Sequence, residues 1–181
     1  MRVLALCSVE YRKWVKRAAG VEPLLSPPLT LDNIAPSTFE GYDLLYFKLF
    51  GQPNDPHWYN VQGEAVVSEE LIRSADLEGA TVFVANCYLP DSPMLEALQD
   101  AGAGAIIGGA GYNYFRKSKL DGVDLLGLYV RVLMQYGASA QGALKFARAR
   151  LMVNRPNKIT RDTLAFKVWG GKRDAMSRVR Q

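Results

Sequence analysis

The sequence is poor in the residues on which most polar catalysis depends. It has one histidine, His57, in 181 residues, and two cysteines, Cys7 and Cys87. One histidine rules out any site that needs two imidazoles. No other histidine, and no acid at ligand spacing (Asp91, Asp121 and Asp124 show none), joins it to form a metal-binding set, so no metal or cofactor is expected. Two thiols give no disulfide framework and are expected to be reduced. No run of about 18 uncharged apolar residues occurs; residues 123–136, the most apolar helical stretch, carry Asp124 and Arg131, so no membrane span is expected. The first residues lead into a strand-like run holding Cys7 and Glu10 without the apolar stretch of a signal peptide, which makes the cytoplasm the expected location. No phosphate-binding loop is present. The glycines at 102, 104, 108, 109 and 111 bracket an apolar run instead of joining a strand to a helix, so they do not form a dinucleotide loop.

What is present is an alternation of short apolar runs and helical stretches. Residues 3–8, 42–50 (YDLLYFKLF), 81–86 (TVFVAN), 105–109 and 162–169 (DTLAFKVW) read as strands. Residues 11–19, 67–77, 92–102, 120–136 and 138–153 read as helices, with Ser68 as an N-cap and Glu69 and Glu70 in the first turn. The proline-rich 20–41 region predicts loop with a short strand, and 51–56 predicts the start of a long loop. This order argues for an α/β fold with a mostly parallel sheet between two helical layers, one domain over 1–170 followed by a basic tail at 171–181.

In such sheets, sites form beyond the carboxyl ends of strands. Two ends stand out: Phe50-Gly51, whose following loop holds His57, and Asn86-Cys87-Tyr88. Cys87 reads either as a nucleophile near free backbone amides or as a small buried hydrophobe. His57 reads either as its base or as a surface loop residue. Gly109 reads as part of a pocket wall at the sheet edge.

Charge is unevenly spread. Residues 1–140 hold 11 Lys and Arg against 16 Asp and Glu, whereas 141–181 hold 11 against 2. The basic end, with Arg148, Arg150, Arg155, Lys158 and Arg161, reads as a solvated face or as a surface for nucleic acid or an acidic partner.

The segments YDLLYFKLFG, TVFVANCYLPDSPMLEALQDAGAGAIIGG and DTLAFKVWGG resemble the caspase-like cysteine peptidases, including gingipain-type and CHAT-domain proteins. In these, one strand ends in His-Gly and another in the nucleophilic cysteine. The resemblance implies a three-layer α/β/α fold in which the first strand lies beside the His-Gly strand and the His-Gly strand beside the cysteine strand. It also implies Cys87 as nucleophile, the amides of Gly51 and Cys87 as oxyanion hole, and Phe50 where histidine is expected. Phenylalanine accepts no proton, so the implied dyad is broken. The expectation that follows is a pseudo-peptidase that binds a protein or peptide partner in a pocket including Phe50, Asn86, Tyr88 and Gly109. The alternatives are an active cysteine peptidase using Cys87 with His57, and a structural or nucleic-acid-associated subunit using the basic end.

Overall fold

In a computed structural model of the chain, residues 1–113, 119–154 and 157–170 are described. The Arg155 expectation and the 171–181 tail lie outside them. Among the described residues, six strands form one sheet: β1 (Val3–Ser8), β2 (Leu24–Ser26), β3 (Leu44–Lys48), then β6 (Thr81–Val84), β7 (Ala105–Gly109) and β8 (Phe166–Gly170), in spatial order β2-β1-β3-β6-β7-β8. All pair in parallel except β8, which runs antiparallel to β7. Between β3 and β6 lies a separate hairpin of β4 (His57–Tyr59) and β5 (Ala65–Ser68).

The strands are apolar almost throughout because both faces of the sheet are covered. Alternate residues along each strand enter two different cores. Leu6, Leu45, Phe47, Val82, Val84 and Ile106 share one with Ile72 of α2 (Glu69–Arg73) and with Met94 and Leu98 of α3 (Met94–Asp100). Ala5, Cys7, Leu44, Tyr46, Phe83 and Ile107 share the other with Val15 of α1 (Arg12–Ala19), Leu126 of α4 (Gly122–Gln135) and Leu144 of α5 (Ala140–Asn154). The three-layer architecture expected from the sequence is therefore the one observed, with β1, β3 and β6 adjacent in that order. None of the described helices is long and apolar enough to cross a membrane.

Three local expectations need correction. The 162–169 strand begins only at Phe166: Lys158–Asp162 forms a short helix, α6, and Thr163–Ala165 a 3-10 turn. The 67–77 helix stops at Arg73, although Ser68 caps it as expected, its hydroxyl accepting from the Leu71 amide at 3.1 Å. His57 lies in a strand of the hairpin, where it pairs with Ser68. Aromatic residues at 57–59 and Val66 and Val67 carry that hairpin, but the strands are too short to stand out by alternation.

Candidate functional site

The same period of two that sorts the cores also builds the site. On β3, Tyr46 faces α4, so Lys48 faces it too, and Phe50, two residues past Lys48, continues on that side. Phe83 on β6 and Ala85 just past its end share this face, which carries Cys87 to the same side one strand away. Lys48, Phe50 and Cys87 consequently line one cavity of about 670 Å³ at the carboxyl edge of the sheet, with Tyr11, Gly51, Tyr88, Tyr112 and Asn113 also in its wall.

The two strand ends are held together closely. The Asn86 side-chain oxygen accepts from the Leu49 amide at 2.7 Å, tying the end of β3 to the end of β6. Two residues past Leu49, a Cβ added to Gly51 would stand 2.5 Å from the Cys87 carbonyl oxygen, so only glycine allows this approach. Tyr88 then turns the chain away with φ +57°, a left-handed conformation rare for an aromatic residue. Its amide donates to the Gly111 carbonyl at 3.0 Å, which helps to hold the turn.

Cys87 is partly buried and Cys7 fully so, and both are free thiols. The Asn113 amide donates to the Cys87 sulfur at 3.4 Å, while the Asn113 side chain donates to the Asn86 carbonyl at 2.5 Å. Burial pushes the Cys87 thiol above its ordinary value, and this outweighs the opposing pull of the Asn113 hydrogen bond and the Lys48 charge. Cys7, deeper in β1, is pushed up to about 12 by burial.

Lys48 forms a buried ion pair that the sequence reading did not single out. Its Nζ lies 2.5 Å from both carboxylate oxygens of Asp124, in the first turn of α4, and 4.9 Å from the centre of the Tyr11 ring. The Tyr46 hydroxyl donates to the same carboxylate at 3.3 Å. Gly127, one turn along α4, makes room for this, because a Cβ there would meet the Tyr46 ring at 2.6 Å. A signal was present: one lysine inside YDLLYFKLF and one acid in an otherwise apolar helix start are buried charges that need each other.

His57 is not among the residues lining the cavity. Its Nδ1 lies 3.4 Å from an Asp55 carboxylate oxygen, which also accepts from the His57 amide at 2.9 Å. The Tyr59 hydroxyl donates to Asp55 at 3.0 Å, so Asp55 organises the hairpin start. The Phe50 ring instead meets Tyr11, with centroids 5.7 Å apart. Asn86 binds the Leu49 amide through its side chain and Gly109 ends β7 opposite Phe166; neither is among the lining residues. In the basic region, Arg148 donates to the Phe166 carbonyl at 3.0 Å, so it braces α5 against β8, while Arg150 is exposed on α5. Lys158 and Arg161 lie on α6. Structure does not gather these four residues around the thiol cavity. Among the described residues, no group of three or more His, Cys, Asp or Glu side chains could hold a metal ion.

Two of the solved structures that match share this fold. The complex of Porphyromonas gingivalis RgpB pro- and mature domains superposes with a TM-score of 0.65 at 11% identity, covering 94% of this chain and 47% of that one. The Arg-specific cysteine proteinase gingipain R gives 0.61 at 13% identity, covering 93% and 46%. The fold is the caspase-like one of the gingipains. This chain spans about half the length of either gingipain chain, and at such identities the likeness concerns the fold. No protein-family model and no curated protein matches the sequence.

Proposed function

We propose that this caspase-like chain is a pseudo-peptidase: its thiol pocket binds a protein or peptide partner without cleaving it. The observation that carries this reading is the make-up of the cavity wall around Cys87. Among the described residues that line it, none is His, Asp or Glu, and the residue beside Gly51 is Phe50. A thiol raised by burial needs a proton acceptor before it can attack a carbonyl carbon. Lys48 cannot serve, because its ammonium is held by both oxygens of Asp124. The sole imidazole is in the β4–β5 hairpin beside Asp55. What remains is an open cavity with a protonated thiol in its wall, a combination suited to holding a chain segment but not to cutting it.

A peptidyl acyloxymethyl ketone, which reacts with activated thiolates, tests the reading. The wild type at pH 7 is expected to stay unlabelled, like Cys87→Ala. Labelling that Cys87→Ala abolishes and His57→Ala reduces contradicts it and restores the active-peptidase alternative. In the reverse direction, Phe50→His places an imidazole at the end of β3. It is expected to raise iodoacetamide alkylation of Cys87 at pH 7 by about tenfold or more, a cautious share of the roughly 10²–10⁴ that a positioned base contributes. A folded Phe50→His protein with unchanged alkylation would show that this position does not face the sulfur.

A further inference from the structure

The chemistry of the cavity wall goes beyond the absence of a base, because it also selects what can enter. Resting on the peptide-binding reading above, we infer that the cavity accepts an uncharged aromatic or large aliphatic side chain of the bound segment and rejects arginine, lysine and carboxylate side chains. At about 670 Å³ it lies within the roughly 300–1,000 Å³ range of ligand clefts, ample for such a side chain and its flanking backbone.

Four aromatic rings line the space in two pairs. Phe50 leans on Tyr11 with centroids 5.7 Å apart, and Tyr88 meets Tyr112 edge to face at 5.1 Å. Phe50 is 37% exposed and Tyr112 64% exposed, so apolar surface at the cavity is left open to water where an occupant would cover it.

Charge decides against the alternatives. Lys48 is the one charged side chain among the described lining residues, and Asp124 neutralises it from behind. A guanidinium or ammonium entering here meets no carboxylate among the described lining residues and loses its hydration without compensation. An acidic side chain must compete with Asp124, which already engages the Lys48 ammonium through both oxygens in a buried site. An uncharged ring or aliphatic chain meets neither obstacle, and has four aromatic rings in the wall to pack against.

Calorimetric titration of the intact chain with blocked tripeptides N-acetyl-Gly-Xaa-Gly-amide, where Xaa is Phe, Leu, Arg or Glu, tests this directly. The Phe and Leu peptides are expected to bind at least tenfold more tightly than the Arg and Glu peptides. Tyr112→Ala, at an exposed position, is expected to weaken the Phe peptide at least fivefold, while Tyr136→Ala, 87% exposed just past the end of α4, leaves it unchanged. Equal or tighter binding of the Arg or Glu peptide overturns the inference, as does folded wild type that binds none of the four. Binding of the Phe peptide that Tyr112→Ala does not alter also overturns it, since the cavity is then not the site. These outcomes are separate from failure of the pseudo-peptidase reading, which appears as Cys87-dependent labelling or cleavage whichever peptide binds best.

Discussion

At the scale of single residues, Gly51 and Cys87 define the geometry. The methyl of Gly51→Ala would press on the Cys87 carbonyl oxygen, which is backbone and has little room to yield. The expected cost is about 1–3 kcal/mol in urea denaturation, the usual range for overpacking. A variant as stable as wild type would mean that the strand ends are not locked at this point. The thiols also set a pH dependence. Cys7, at about 12, and Cys87, raised by burial, keep their protons in the folded chain at pH values where the unfolded chain, near 8.5, loses them. The stabilisation they provide is therefore complete below about pH 8.5 and is lost as pH rises toward 12. Tyr11 and Tyr46, both raised by burial, act in the same sense at higher pH. The urea midpoint is expected to fall steadily from pH 8.5 to 11, and less steeply in Cys7→Ala; a flat profile in wild type would contradict the assigned burial. Cys87 and Phe50 could be picked out from the sequence because each sits at the end of an apolar run. Asn113 could not, since an asparagine in a glycine-rich stretch carries no signal that its amide will reach a sulfur 26 residues earlier.

At the scale of elements, the Lys48–Asp124 pair joins β3 to α4 beneath the cavity. Removing one partner leaves a buried charge unpaired, which typically costs about 3–5 kcal/mol. Lys48→Met and Asp124→Leu are each expected to lose stability in that range. The double variant should recover most of it, because two apolar side chains need no counter-charge. Losses that simply add in the double variant would show that the two side chains do not act as a pair. The strands and most helices were legible because a sheet covered on both faces writes near-continuous apolar runs into the sequence. Hairpin β4–β5 was not: its strands have three and four residues, too few to establish a period, so His57 read as part of a loop. The start of β8 is hidden in the sequence as well. DTLAFKVW is apolar enough to be a strand throughout, but Asp162 ends α6 and Thr163–Ala165 form a 3-10 turn.

At the scale of the whole molecule, the order β2-β1-β3-β6-β7-β8 explains why a thiol and an aromatic ring distant in sequence share one cavity. Parallel neighbours β3 and β6 end at the same edge, and their side chains stay in phase across the pair, as the Phe47–Val84 register shows. Alternating strands and helices made that architecture readable, and the gingipain likeness supports the fold. The sequence could not disclose the direction His57 takes, because that depends on Asp55 and on a hairpin packed outside the main sheet. What matters most is whether a chain with this fold, with Phe50 beside Gly51 and its sole histidine in the hairpin, cuts peptides. Incubating the intact protein with a mixture of peptides of diverse sequence at pH 7, and reading new termini by mass spectrometry, measures this most directly. The prediction is no cleavage above that of Cys87→Ala. Cleavage that disappears in Cys87→Ala would contradict the account.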